Sequence, residues 1–188
     1  MFESFTGIEF DEAVLPEANQ IYASDSIDKY DVLVYYDLFQ EITELQKKAF
    51  LEMLERGKGV VFLHHSLASY QDWDEFKEIR GGRYDLDTST YAHGQDIVVK
   101  ISDPKHPITK GLEDFQIHEE TYNSYEVLPG VHPLIQTDYL ASESIIGWTN
   151  QYGKSRIVYL QPGHDNNAFS NSDYRRLVHQ SIVWAVKK

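Results

Sequence analysis

The side chains able to do chemistry fall into three short clusters. Leu63 is followed by His64, His65 and Ser66, and Leu160 by Gln161, Pro162, Gly163, His164, Asp165, Asn166 and Asn167. The third cluster, His118, Glu119, Glu120, Thr121, Tyr122 and Asn123, follows the apolar Phe115-Gln116-Ile117. Imidazole and carboxylate together permit two kinds of chemistry. Neutral imidazoles and a carboxylate hold a divalent metal, zinc or similar, whose open coordination position polarises a carbonyl or activates water. Without a metal, the same groups act as general acid and base, because histidine titrates near neutrality. Spacing does not choose between them, since there is no HExxH and no short-range ligand pair of a recognised kind.

Each residue also has a plainer reading. Neighbours on a strand point to opposite faces, so at most one of His64 and His65 is expected to face a site. Glu119 and Glu120 carry the same limit, one of them being expected in solvent. His106 before Pro107 and His132 before Pro133 read as turn residues, His93 as part of a long loop, and His179 as a structural or exposed residue of the last helix. Ser66 lies where a nucleophile elbow would sit, but its flanks lack the glycines of G-x-S-x-G, which makes a serine hydrolase the weakest reading. Asp165 and its neighbours either bind ligand hydroxyls or cap the turn before the last helix. The chain has no cysteine, so disulfides, thiolate metal sites and cysteine nucleophiles are excluded.

Something must bring the clusters together, and in α/β sheets that place is beyond the carboxyl ends of the strands. Residues 31–36 and 59–63 are continuous apolar runs, as expected of strands covered on both faces. Between them residues 43–56 read as a helix, with Thr43 and Gln46 as a capping box and Gly57 as its stop. Its buried stripe would be Leu45, Ala49, Phe50, Met53 and Leu54. A shorter helix is expected over 71–79, before Gly81-Gly82. Further strands are expected over 96–101, 115–119, 131–137, 145–149 and 156–160. A last helix over 172–186 would pack Leu177, Val178, Ile182 and Ala185. The pattern predicts one domain, 1–188, with a sheet that is parallel in part and antiparallel near its later edge.

The 188 residues suffice for one hydrophobic core, and 41% hydrophobic with 25% charged residues is ordinary for a globular chain. A formal net charge of −13 repels phosphate backbones and anionic lipid, so neither nucleic acid nor membrane is expected as a partner. The sequence contains no apolar stretch long enough to span a membrane and starts without a basic, apolar leader, which fits a cytoplasmic location.

At the clusters the chain resembles the ThuA-like (trehalose-utilisation) family. The matching segments are residues 59–65, Gly81-Gly82-Arg83-Tyr84, His106-Pro107-Ile108-Thr109 with Gly111-Leu112, residues 118–122 and residues 159–165, closing with Arg175-Arg176-Leu177 and Trp184-Ala185. They occur in consistent order from about Asp31 to Ala185. The resemblance implies a class I glutamine amidotransferase-like (flavodoxin-like) sandwich, with a mostly parallel sheet, helices on both faces and the elbow cysteine replaced. Family members place a strand and a helix before the region of Ile8 to Leu15, where this chain has almost begun. A first β-α unit is therefore expected to be lacking, or its place filled by other means such as homo-oligomerisation.

In function, the resemblance implies disaccharide catabolism, in which a partner sugar dehydrogenase makes a 3-keto derivative that the ThuA-like protein then cleaves or rearranges. The matching polar positions are His64, Glu120, Tyr122 and His164, with His65, His118 and Glu119 as neighbours. The leading expectation is a lyase- or hydrolase-type enzyme acting on a keto-disaccharide or related glycoside. Glu120 or His164 is the expected base, Tyr122 the acid, and His64 with a metal on His64, Glu120 and His164 the stabiliser of the enolate. The rival is a non-catalytic carbohydrate-binding or regulatory protein on the same fold.

Overall fold

The two unbroken apolar runs become neighbouring strands in the computed structural model, which describes residues 1–186. β1 (Val32–Tyr35) and β2 (Gly59–Leu63) pair in parallel and are joined by α1 (Glu44–Glu55). The capping box forms as the sequence predicts: Thr43 Oγ1 accepts from Gln46 N at 3.3 Å, and Gln46 Oε1 accepts from Thr43 N at 2.9 Å. Gly57, at φ 85°, follows the helix end. Phe50, Met53 and Leu54 are buried, whereas Leu45, expected in the same stripe, is 71% exposed. At about 100° per residue, Leu45 sits roughly 130° around the helix from the centre of that buried face.

The second helix, α2 (Asp74–Arg80), is shorter than residues 71–79 suggested at its start and ends at Gly81, φ 80°. β3 (Gly82–Arg83), β4 (Thr90–Ile101), β5 (Phe115–Asn123), β6 (Glu126–Val127), β7 (His132–Gln136), β8 (Ile145–Tyr152) and β9 (Ser155–Leu160) follow. Then come α3 (Asn166–Ser170) and α4 (Ser172–Ala185). Two bounds matter for the site. β4 begins six residues before the expected position, which puts His93 on a strand rather than in a loop. β5 runs on to Asn123, so the cluster at 118–123 lies on the strand, not after it.

The main sheet has seven strands in the order β1-β2-β9-β8-β7-β4-β5. Only β1/β2 and β2/β9 are parallel; the other four pairings are antiparallel. The expected mostly parallel sheet is thus corrected to a mixed one. The reason is connection length: β8 and β9 are joined by the turn at Gly153-Lys154, and a tight turn can only make an antiparallel pair.

Helices do cover both faces of the parallel part. From β2, Val60 and Phe62 join Phe50, Met53 and Leu54 of α1 and Phe76 and Ile79 of α2 in one core cluster. Val61 and Leu63 join Leu177, Val178 and Ile182 of α4 in the other. No described helix is long and apolar enough to cross a membrane.

Candidate functional site

His64 leaves β2 with φ 51°, a left-handed backbone that costs a residue with a Cβ on the order of 1–3 kcal/mol. It opens a 3-10 turn, His64–Ala68. Because the strand has ended, strand alternation no longer applies, and His64 and His65 line the same cavity. The turn is anchored from below. Tyr159 Oη donates to the carbonyl of His64 at 3.0 Å, and the buried Arg80 guanidinium donates to the carbonyls of Ser66 and Ser69 at 2.5 and 3.0 Å.

Glu119 and Glu120 are both buried, contrary to the expectation that one is solvated. Glu119 accepts from the backbone N–H groups of Gly163 and His164 at 2.7 and 2.9 Å, and so fixes the loop after β9. Burial pushes its carboxyl above the ordinary range, a rise moderated by His64 and by these N–H groups. Gly163 in that loop has φ 136°, and a Cβ there would lie 2.5 Å from Tyr174 Oη.

These elements bring four of the expected residues to one point. Glu120 Oε2 lies 2.9 Å from His64 Nε2 and 3.3 Å from His164 Nδ1, and the two nitrogens are 3.2 Å apart. Tyr122 Oη lies 2.8 Å from His64 Nε2. With Tyr36, Leu38, Tyr84, Leu86, Tyr91 and His93, they line a cavity of about 370 Å³. A larger cavity of about 610 Å³ runs along β1, but no histidine lines it.

His64 Nδ1 lies 2.7 Å from the carbonyl oxygen of Gln161, which can only accept, so Nδ1 carries the hydrogen. In the neutral ring Nε2 is then a lone pair, and it faces a carboxylate oxygen at 2.9 Å. Two acceptors at that distance require a proton or a metal cation between them. Ligands at 2.0–2.1 Å around tetrahedral zinc are roughly 3.3 Å apart, close to the separations of this trio. His64, Glu120 and His164 each offer one ligand atom, all within 4.8 Å of one another, and this trio could hold a metal.

Burial works to raise the Glu120 carboxyl, but the hydrogen bond and charge of His64, with His164 and Tyr122, outweigh it and hold the group below its ordinary range. Burial, reinforced by Glu120 and Glu119, pushes the Tyr122 hydroxyl well up, so Tyr122 stays protonated. Burial and the neighbouring His64 lower His65 to about 4, which leaves its ring neutral near pH 7.

His93, expected in a long loop, lies within β4 and joins the site. The β4/β5 register breaks between Ala92 and Gln95, so that His93 and Gly94, the latter at φ 66°, face Glu120 across a β-bulge. The bulge aims His93 at the site: its Nδ1 lies 2.9 Å from Glu120 Oε1. The available signal was a glycine inside an otherwise strand-like run. Gln161 takes part as well: its carbonyl fixes the His64 tautomer and its Nε2 donates to the Glu120 carbonyl at 2.7 Å.

The remaining candidates lie elsewhere. His118 bonds Asp96 at 2.8 Å on the outer face, His132 bonds Asp103 at 3.0 Å, and His179 reaches the carbonyl of Thr6 at 3.1 Å. Ser66 is fully buried and its Oγ donates to the Leu63 carbonyl at 2.8 Å, a structural role. Asp165 caps α3, accepting from Asn167 N and Ala168 N.

The sequence profile of the ThuA family, described as trehalose utilisation, matches residues 4–185. No curated protein matches the sequence. A ThuA-like protein from Parabacteroides merdae superposes with a TM-score of 0.75 at 20% identity, over 86% of this chain and 72% of that one. A cytoplasmic protein from Salmonella typhimurium gives a TM-score of 0.65 at 14% identity, over 91% and 80%. A beta-galactosidase from Bacillus circulans sp. alkalophilus gives 0.59 at 10% identity, over 88% of this chain but 23% of its own. At such identities these structures establish a shared fold.

Proposed function

The chain belongs to the ThuA family, trehalose utilisation, and on that premise we propose that it cleaves or rearranges a keto-disaccharide or related glycoside at the His64–Glu120–His164 centre. The observation that carries the reading is the facing pair of acceptors, His64 Nε2 and Glu120 Oε2, at 2.9 Å. It calls for a positive charge at the floor of a cavity sized for a small ligand. A divalent cation such as zinc, held by His64, Glu120 and His164, would place that charge against a substrate carbonyl oxygen.

The protein's own groups then divide the work. A carbonyl at C3 acidifies the neighbouring C–H. Removal of that proton sends its electron pair towards the carbonyl, and return of the pair expels the glycosidic oxygen. A depressed carboxyl suits Glu120 to hold positive charge rather than to take the proton itself. The base is therefore the Glu120–His93 pair, with the proton ending on His93 and Glu120 steadying the imidazolium through Oε1. Tyr122, kept protonated, donates to the leaving oxygen. Its proton is restored from solvent, to which His93, 60% exposed, connects the site.

The keto-sugar requires an oxidising step upstream, supplied by a sugar dehydrogenase, and the setting we propose is cytoplasmic, as the Salmonella protein is described. A homo-oligomer is part of the same proposal, since β1 pairs with β2 alone among the described residues and leaves a sheet edge for a second copy. The test is to give the purified protein 3-keto-trehalose and follow release of glucose. Release that is lost in His64→Ala supports the reading. Tight binding without turnover favours the carbohydrate-binding alternative instead.

A further inference from the structure

The polar floor of the cavity is matched by a rim of the opposite character. Among the described residues ten large hydrophobic side chains are exposed, and four of them, Tyr36 at 44%, Leu38 at 48%, Leu86 at 52% and Tyr91 at 61%, line this one cavity. Scattered exposed apolar residues need no explanation, but a cluster beside a polar site marks a binding surface. Tyr84 and Ala68 complete the wall.

Two of the three tyrosines of this wall, Tyr36 and Tyr84, have their hydroxyls turned to backbone carbonyls, while Tyr91 Oη is unbonded among the described residues. Tyr36 Oη donates to the carbonyl of His164 at 3.0 Å, and Tyr84 Oη to the carbonyl of Ser89 at 3.2 Å. Leu38, Leu86 and Ala68 have no side-chain polar atom. On this side of the cavity the buried polar atom without a partner is Nδ1 of His65. A second sugar ring would bring several hydroxyls against this wall, which offers them, among the described residues, only His65 Nδ1 and Tyr91 Oη as free side-chain partners. An aromatic or alkyl group loses nothing there and gains by leaving water.

We propose that the rim of Tyr36, Leu38, Leu86 and Tyr91 is an aglycone subsite, and that the ligand is a glycoside whose second half is apolar, an aryl group above all, rather than a second sugar. The inference rests on the sugar-processing reading of the floor and specifies its substrate class.

The experiment measures, by calorimetry on the full chain, the affinities of the 3-keto derivatives of methyl glucoside, phenyl glucoside and trehalose. Burial of a phenyl ring against this rim predicts phenyl binding about tenfold or more tighter than methyl, with trehalose no better than methyl. In Leu38→Ser/Leu86→Ser the phenyl-to-methyl ratio falls towards one, whereas His64→Ala weakens both ligands alike. Equal binding of phenyl and methyl, or trehalose as the tightest ligand, overturns the aglycone subsite and leaves the sugar-processing reading standing. Failure of all three ligands to bind removes both. A circular dichroism spectrum matching wild type shows that the double variant has folded.

Discussion

The Nδ1 of His64 lies 2.7 Å from the carbonyl oxygen of Gln161, 97 residues further along the chain. That single bond sets the tautomer of the ring and turns Nε2 into a lone pair directed at Glu120 and His164. The two residues meet because β2 and β9 are parallel neighbours whose carboxyl ends coincide, Leu63 being paired with Leu160. Glu120 then supplies the negative charge of the trio. Glu120→Gln is expected to weaken zinc binding by more than about a hundredfold, exceeding the effect of losing an outer partner. Calorimetric titration with zinc checks this, and near-normal affinity in the variant contradicts it.

His93 acts on the trio through Glu120, orienting its carboxylate from the bulge in β4. His93→Ala is expected to retain the metal with affinity lowered about tenfold, the low end for loss of an outer-sphere partner. Turnover of the keto-sugar should fall further than affinity, because the variant also loses the proposed proton acceptor. A variant with wild-type affinity and wild-type turnover removes His93 from the site.

Gly163 gives the loop after β9 its path, with φ 136° and no room for a Cβ beside Tyr174 Oη. Gly163→Ala is expected to lose about 1–3 kcal/mol of stability from the backbone alone, with more from the clash. Urea unfolding measures it. Since the same loop carries His164, zinc affinity should drop with stability, and an unchanged urea midpoint contradicts the close packing of Gly163 on Tyr174.

Away from the site, burial and then His132 lower the pKa of His106, while Asp103 acts in the other direction and Arg156 adds to the lowering. His132 and Trp184 face its ring at 5.5 and 5.2 Å. The sign follows by linkage. Below about pH 6.5 the unfolded chain takes up the proton before the folded one does, so stability falls with pH from there to the lower folded value. His106→Asn should therefore lose less stability than wild type between pH 7.5 and 5.5. Parallel losses in urea midpoint would show that another group controls the acid response.

Much of this was legible in the sequence, for reasons tied to particular residues. The continuous run of residues 59–63 required a strand covered on both faces, and the Thr43–Gln46 box required a helix start. The polar residues after Leu63 and Leu160 marked strand ends, and His64 and His164 are indeed brought together there. The antiparallel later edge was legible in part, but not its extent: only the β1/β2 and β2/β9 pairings are parallel, and connections such as the Gly153-Lys154 turn set the rest. Nor was the role of His93, which depends on a bulge set by pairing with β5, or the shared facing of His64 and His65, which depends on φ 51° at His64. Long-range pairing decides such features, and local pattern does not contain it.

His64, Glu120 and His164 could together hold one metal cation. The direct measurement is the metal content of protein purified under metal-replete conditions, in wild type and in His64→Ala/His164→Ala. One equivalent of divalent metal in the wild type and none in a folded double variant is the predicted result. A metal-free wild type, or a double variant that keeps its metal, would show that these three residues hold no cation.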